Sequence, residues 1–165
     1  KEPALRKKSR PVTEISPRIK TLLDDMLETM RQADGCGLAA PQVGILKRIV
    51  VMDVDGTPHL LINPEILETS GSQTGAEGCL SLPGKYGIVT RPNHVKVRFQ
   101  DEHMDTVEME GEGLLARAFC HEIDHLEGKM FIDHLSPLRK QMIKGKLNAM
   151  LKGKAHCTYK VKTVK

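Results

Sequence analysis

The chain of 165 residues and 18.3 kDa is long enough for one domain that buries a core without disulfide staples. Hydrophobic residues make up 39% and charged residues 28%, which indicates a soluble globular protein, and no apolar run approaches the length of a membrane span. The formal net charge of +4 arises at one end, because residues 137–165 hold nine Lys/Arg and no Asp/Glu, whereas residues 1–136 hold 16 Lys/Arg and 21 Asp/Glu.

The first predicted element is an amphipathic helix. The residues before it, KEPALRKKSRPV, are basic but lack the apolar region of a secretory signal, so they are not predicted to be one. The helix begins at Pro17 with Ser16 as its N-cap and stops at Gly35. Its apolar residues recur at helical spacing, namely Ile19, Leu22, Leu23, Met26, Leu27 and Met30.

A series of strands follows. The stretches RIVVMDV (48–54) and HLLINPEIL (59–67) flank the turn signal Asp55-Gly56, and HVKVRFQ (94–100) precedes a turn and a further strand in residues 105–110. These segments predict antiparallel hairpins. Because strands follow one another without a helix between each pair, the order favours an α+β fold over a parallel doubly wound one.

Two more helices are predicted near the C-terminus. One runs from about Glu112 to Leu126 and is closed by Gly128, and the other begins at Ser136-Pro137 and ends near Gly153. The predicted fold therefore has antiparallel β-sheets packed around a central helix, with an N-terminal and a C-terminal helix.

The central helix carries the stretch AFCHEIDHLEG, residues 118–128. On a helix, His121 and His125 lie one turn apart on one face and can share a metal ion, while Glu122 can reach a water bound to that ion. Taken alone, the two histidines are equally well explained by a polar helix face.

A catalytic centre of this type usually has a third protein ligand and an open position for water. The metzincin pattern would require a histidine where Phe131 stands, and His134 misses that spacing by three residues. Upstream, Cys79 lies between a glycine and an apolar run, and a thiolate is a strong ligand for a borderline-soft divalent metal. Cys79 is therefore the candidate third ligand, although a buried cysteine is more often a small hydrophobe.

Three motifs together resemble the peptide deformylase family. They are GCGLAAPQVG (35–44), EGCLS (77–81) and HEIDH (121–125), in that order and with family-like intervals, and the resemblance extends over about residues 3–152. It implies a single catalytic domain over residues 1–165, with a basic C-terminal helix and tail at 137–165. The implied reaction removes the N-formyl group from formyl-methionyl nascent polypeptides and releases formate.

The resemblance also implies roles for the motif residues. Cys79, His121 and His125 would hold one divalent metal ion, with a water completing a tetrahedron. Glu122 would take the proton of that water, which attacks the formyl carbon, and later hand it to the leaving amine. The Gln42 side chain and the Leu80 backbone N–H match the family's oxyanion donors.

Five further residues are predicted to bind substrate. Gly37 would let the substrate backbone approach closely, and Cys36 lies beside the methionine pocket by family position. Ala118 and Leu114 precede the two histidines by seven residues, so they would floor that pocket or be ordinary core. The predicted substrate-binding residues are Cys36, Gly37, Gly78, Leu114 and Ala118.

Several neighbours of the predicted site have alternative explanations. Cys120, next to His121, points about 100° around the helix and is expected to pack rather than bind metal. Glu77 and Asp124 either orient metal ligands or form surface or structural ion pairs.

Metal identity, location and partners are expected from the family and the composition. The ligand set is compatible with Fe(II), Zn, Ni or Co, and the resemblance favours Fe(II) in the cell and the others in purified protein. Four scattered cysteines without CxxC spacing favour a reducing compartment. From the chain length and the family resemblance, a cytoplasmic bacterial monomer is expected. The basic C-terminal helix is either a solvated face or a docking element for ribosomal RNA.

Two other classes of protein remain as alternatives. One is an HExxH endopeptidase, which would need a ligand where Phe131 stands. The other is a basic RNA-binding protein with a structural metal site, which would need a fourth ligand and have no use for Glu122.

Overall fold

Two antiparallel sheets and the helices packed on them make up the fold in a computed structural model, which describes residues 3–142. The larger sheet has five strands, which are, in spatial order, β1 (Gly37–Ala39), β2 (Ile49–Asp53), β3 (Pro58–Ser70), β6 (His94–Gln100) and β7 (Thr106–Glu112). The smaller sheet pairs β4 (Gln73–Cys79) with β5 (Leu82–Arg91). Every paired strand is antiparallel, which confirms the predicted α+β class.

The first helix, α1, spans Pro17–Gln32 and begins as predicted. The Ser16 side chain accepts a hydrogen bond from the Ile19 N–H at 3.3 Å, and Pro17 occupies the first turn. Its end comes earlier than predicted. Asp34 adopts the left-handed conformation at φ 55°, so the chain already turns before Gly35, because aspartate tolerates this region better than most residues do.

The two predicted hairpins are confirmed. β2 pairs with β3 around a turn in which Gly56 has φ 90° and donates its N–H to Asp53 Oδ1 at 2.8 Å. β6 pairs with β7 over their full lengths. The pattern of alternating apolar residues did not predict β1, β4 or β5, which lie in glycine-rich sequence.

The central helix, α2, spans Leu114–Leu126. It begins two residues later than predicted, because Glu112 ends β7 and Gly113 turns the chain with φ 60°. The predicted closure at Gly128 is confirmed, since this residue has φ 74° just after the C-cap Glu127. Ten residues of α2 are buried, so the helix contacts protein on nearly all sides.

The two helices pack on opposite faces of the larger sheet. Within β2, Val50 and Met52 belong to the apolar cluster that includes α2, whereas Ile49 and Val51 belong to the cluster that includes α1. This division follows from the alternation of side chains along a strand. The helix α2 therefore lies between the five-stranded sheet and the smaller sheet, because α2 also contacts strand β5.

An asparagine anchors the N-terminal segment to this core. Asn63 interrupts β3 with φ 53°, and its side-chain amide bonds both the N–H and the C=O of Val12 at 2.8 Å. The same amide donates to Gln100 Oε1 at 2.7 Å. Nearby, the Ser9 N–H donates to the Leu126 carbonyl at the end of α2, at 2.8 Å.

The predicted C-terminal helix begins where expected, with residues 137–142 helical. Leu138 and Met142 are exposed there. The remainder of the predicted helix, its end near Gly153 and the basic tail lie outside the described residues. Within the described part, no helix is both long and apolar enough to cross a membrane.

Candidate metal centre

Three donor side chains converge beside α2. Cys79 ends β4, and His121 and His125 lie one turn apart on α2, with the ligand atoms of all three within 4.8 Å of one another. Cys79 Sγ is 3.3 Å from His125 Nε2. All three side chains are buried, and a thiolate with two imidazoles is a donor set that suits Zn²⁺ or Fe²⁺. Within residues 3–142, no second group of three such donors lies as close together.

The two histidines have different environments. Burial lowers the pKa of His125 well below its ordinary value, which keeps the ring neutral as metal ligation requires. Burial also acts against charge on His121, but hydrogen bonds with Cys79 and Glu77 outweigh it and raise that pKa. A cation bound here would displace the proton that His121 retains, because an imidazole binds a metal only in its neutral form.

Cys79 reaches the helix because the hairpin that carries it is irregular at this point. The β4–β5 register shifts between Gly78 and Cys79, and such a bulge redirects a side chain. A Cβ on Gly78 would lie 2.8 Å from the Tyr86 ring, so the bulge also depends on a residue without a side chain. The EGCLS motif thus combines a donor with the backbone that directs it toward α2.

Glu122 lies next to the donor cluster and is buried, with 5% of its surface exposed. Its Oε1 is 3.9 Å from His121 Nε2. Burial raises the pKa of Glu122 to about 7, so the carboxyl group can both accept and release a proton near neutral pH.

Glu77 connects the donor cluster to two buried arginines. Its Oε1 is 2.7 Å from His121 Nδ1 and also accepts from Arg91 at 2.7 Å, and its Oε2 accepts from Arg117 at 2.7 Å. Burial opposes ionisation, but the hydrogen bonds with His121 and Arg91 outweigh it and hold the pKa of Glu77 well below its ordinary range. A surface role for Glu77 is therefore wrong: its carboxylate is buried and bonded directly to His121.

Asp124 is connected to the metal-donor cluster through Arg91, which also bonds Glu77. It accepts from Arg91 at 2.7 Å, and its Oδ2 is 2.8 Å from His134 Nε2. The three motifs contain none of the residues Arg91, Arg117 and His134. Of these, only Arg117 could have been suspected from the sequence, because it is a charged residue within an apolar stretch of the predicted central helix.

Gln42 also lies at the donor cluster. Its Oε1 accepts from the Ala39 N–H at 2.9 Å, and its Nε2 donates to Ser81 Oγ at 3.0 Å and lies 3.4 Å from Cys79 Sγ. Leu80 directly follows Cys79 in the turn between β4 and β5. The two predicted oxyanion donors therefore lie on the two segments that border the thiol.

The remaining predicted residues lie in different surroundings. Gly37 is in β1 against Glu122, and Cys36 precedes it, half-buried, where burial raises the pKa of its thiol to about 12. Ala118 is buried in the apolar cluster between α2 and the sheet, while Leu114 begins α2 and is half-buried. Cys120 packs in that same apolar cluster and is not among the three convergent donors, as expected.

Known proteins similar to the chain share one description. Residues 1–141 match the family model for polypeptide deformylase. A peptide deformylase of Lachnoclostridium phytofermentans is 62% identical over 135 residues, which cover 80% of this chain and 83% of that protein. Peptide deformylase 1 of Clostridium acetobutylicum is 58% identical over 132 residues, which cover 80% and 88%.

Solved structures give the same result. The crystal structure of a peptide deformylase from Legionella pneumophila has a TM-score of 0.87 at 42% identity and covers 93% of this chain and 94% of that chain. The peptide deformylase from Synechococcus elongatus, in complex with actinonin, has a TM-score of 0.84 at 40% identity and covers 88% and 83%.

Proposed function

Because the chain belongs to the polypeptide deformylase family, we propose that it removes the N-formyl group from formyl-methionyl nascent polypeptides by hydrolysis at the Cys79, His121 and His125 centre. The observation that carries the proposal is the convergence of these three donors beside the buried carboxyl group of Glu122. One domain over residues 1–165 would contain the whole site.

The donor chemistry fits one divalent cation held by Cys79, His121 and His125. When bound, the cation would supply Lewis acidity that activates a water molecule and polarises the formyl carbonyl group. Fe(II) is our proposal for the cell, with Zn, Ni or Co also compatible with these donors. Metal analysis of protein purified without oxygen tests this assignment, and iron well below one equivalent would contradict it.

Glu122 would move the proton in this reaction. A carboxylate oxygen of Glu122 takes a proton from the attacking water and hands it to the nitrogen of the leaving amine. Its burial, its place beside His121 and its pKa of about 7 support both halves of this transfer.

Gln42 and Leu80 would stabilise the negative charge that develops on the formyl oxygen. The Gln42 amide donates without adding a charge that competes with the metal, and the Ala39 N–H bonded to its Oε1 directs Nε2 toward Cys79. The Leu80 backbone N–H, adjacent to Cys79 in the chain, would be the second donor.

Substrate would bind around this centre as a formyl-methionine with its following peptide. We assign the apolar methionine pocket and the adjoining peptide contacts to five residues: Cys36, Gly37, Gly78, Leu114 and Ala118. Partial burial of Leu114, at the start of α2, supports a place at the pocket edge. Formyl would be selected over acetyl where the space at the metal admits no methyl group.

The cellular setting is proposed from the family and the charge distribution. We propose a cytoplasmic monomer in a bacterium that docks on ribosomal RNA through its basic C-terminal segment. The exposed Arg139 and Lys140 begin this segment, and no acidic residue follows them.

The proposed reaction is tested by measuring formate release from a formyl-Met peptide with the metal-loaded protein. We expect stoichiometric formate, and far slower release of acetate from the acetyl-Met analogue. Cleavage at internal peptide bonds instead would indicate an endopeptidase. Absence of both activities in folded, metal-loaded protein would refute the proposal.

A further inference from the structure

Gly37 and Glu122 are packed against each other more closely than a side chain on Gly37 would allow. A Cβ on Gly37 would lie 2.8 Å from both Cγ and Oε1 of Glu122 and 2.9 Å from Cδ. Real Cβ atoms essentially never approach a neighbour within 3.0 Å. Any residue other than glycine at position 37 would therefore occupy the space of the Glu122 carboxyl group.

Backbone conformation does not explain this glycine. Gly44 and Gly113 have φ of 82° and 60° with nothing within 4 Å of an added Cβ, so conformation is the reason for glycine there. Gly37, in contrast, lies outside the left-handed region and pairs regularly with Met52 in the β1–β2 ladder. The missing side chain matters at Gly37 because of the space that it leaves.

One oxygen of the Glu122 carboxyl group has no hydrogen-bond donor among the described protein groups. This oxygen is Oε2, which is buried. The Glu77 carboxylate, by contrast, is held by His121, Arg91 and Arg117. Packing against the bare backbone of Gly37 therefore restrains the Glu122 carboxyl group, together with His121, whose Nε2 lies 3.9 Å from Oε1.

We propose that Gly37 is a positioning residue, whose missing side chain places the Glu122 carboxyl group where it reaches the reacting atoms. The inference rests on the proposed role of Glu122 in proton transfer. It gives Gly37 a function separate from close approach of the substrate backbone, since the crowded atoms belong to the protein itself.

The test is a double-mutant cycle of Gly37→Ala and Glu122→Ala with formyl-Met peptide as substrate. An added Cβ must move the Glu122 atoms by at least a few tenths of an ångström. Because a displacement of about 1 Å can cost about 100-fold in rate, Gly37→Ala should lower kcat by about 10- to 100-fold, with a smaller change in KM and unchanged metal content. In the Glu122→Ala background, Gly37→Ala should cause no further loss of rate. Additive losses, or a loss confined to KM, would overturn the inference and favour a direct substrate contact.

Thermal unfolding gives a readout that does not depend on activity. Overpacking by one methyl group should lower the Tm of Gly37→Ala by roughly 3–10 °C. Glu122→Ala removes the three atoms nearest to the added Cβ, so Gly37→Ala should have much less effect on Tm in that background. If Gly37→Ala fails to fold, recovery of folding in the double variant supports the inference, and continued misfolding overturns it.

Gly111→Ala is the matched control. A Cβ there would be equally crowded, at 2.8 Å from Leu115 Cγ and 2.9 Å from Phe119 Cε2, but against the apolar side of α2. It should lower Tm by the same amount with and without Glu122, and it should leave kcat unchanged. Wild-type protein without formate release would refute the proposed function, whereas the coupling in Tm would still decide whether Gly37 and Glu122 are in contact.

Discussion

Glu77→Gln is the substitution that most directly tests the buried charges behind the candidate metal centre. The change keeps the shape of the side chain and replaces one carboxylate oxygen with an NH₂ group. Both oxygens of Glu77 accept from arginine, Oε1 from Arg91 and Oε2 from Arg91 and Arg117. Either orientation of the amide therefore makes a donor face a donor, and neither arginine is neutralised by it.

The expected loss of stability follows from burial. Glu77 and Arg91 side chains are each 5% exposed. Removing one partner of such a buried pair costs about 3–5 kcal/mol, which lowers Tm by roughly 6–20 °C in a protein of this size. Arg91 keeps its bond to Asp124 and Arg117 keeps one to the Val89 carbonyl, so the lower half of this range is expected.

Two measurements and one control make the test decisive. Thermal unfolding followed by circular dichroism gives the change in Tm, and competition with a chelator should show metal affinity lowered about 10- to 100-fold through His121. Glu65→Gln removes a carboxylate from the exposed pair with Arg98, where about 0–1 kcal/mol is expected. A Tm loss no larger than that of Glu65→Gln, together with unchanged metal affinity, would refute the reasoning.

Four further predictions address separate parts of the molecule. Cys79→Ala, like His121→Ala or His125→Ala, should abolish activity and lower bound metal, whereas Cys120→Ala should retain it; stoichiometric metal in Cys79→Ala by elemental analysis would contradict this ligand set. Glu122→Ala should keep its metal and lose about 100- to 10,000-fold in kcat, and near wild-type turnover would exclude Glu122 as the base. Asn63→Gly preserves the left-handed backbone but removes the partner of both Val12 backbone groups. It should destabilise the fold by about 1–3 kcal/mol and speed hydrogen exchange at the Val12 amide. An unchanged urea midpoint would argue against this. Charge reversal at Arg139, Lys140, Lys144 and Lys146 should weaken ribosome association at low salt without changing hydrolysis of a short formyl-Met peptide, and equal association would leave this segment without a docking role.

The sequence predicted those parts of the fold whose side chains alternate regularly. The spacing of apolar residues located α1 and α2, and the turn signal at Asp55-Gly56 located the β2–β3 hairpin. The β4–β5 hairpin was missed because glycines and a bulge at Cys79 break the alternation that identifies a strand.

Prediction of the site was limited in a similar way. Spacing within HEIDH brings two donors together on any helix, so the histidines could be grouped from sequence. Cys79 was a candidate from its thiol chemistry, and the family motif then placed it with the histidines. Nothing local indicates that Arg91 on β5 and Arg117 on α2 meet the same carboxylate of Glu77. Such a network depends on which elements pack together, and arginine is expected at the surface by default.

The Glu77 network has a consequence for how the centre acquires its ion. It bonds β4 through Glu77, β5 through Arg91 and α2 through Arg117, so the smaller sheet is attached to the helix by protein groups alone. Cys79 and the histidines are thereby preorganised, and an incoming cation spends little binding free energy on ordering its ligands. One ion could then be exchanged for another while the hairpin stays in place, so the metal found in the protein would reflect which ions surround it rather than which ion was present during folding.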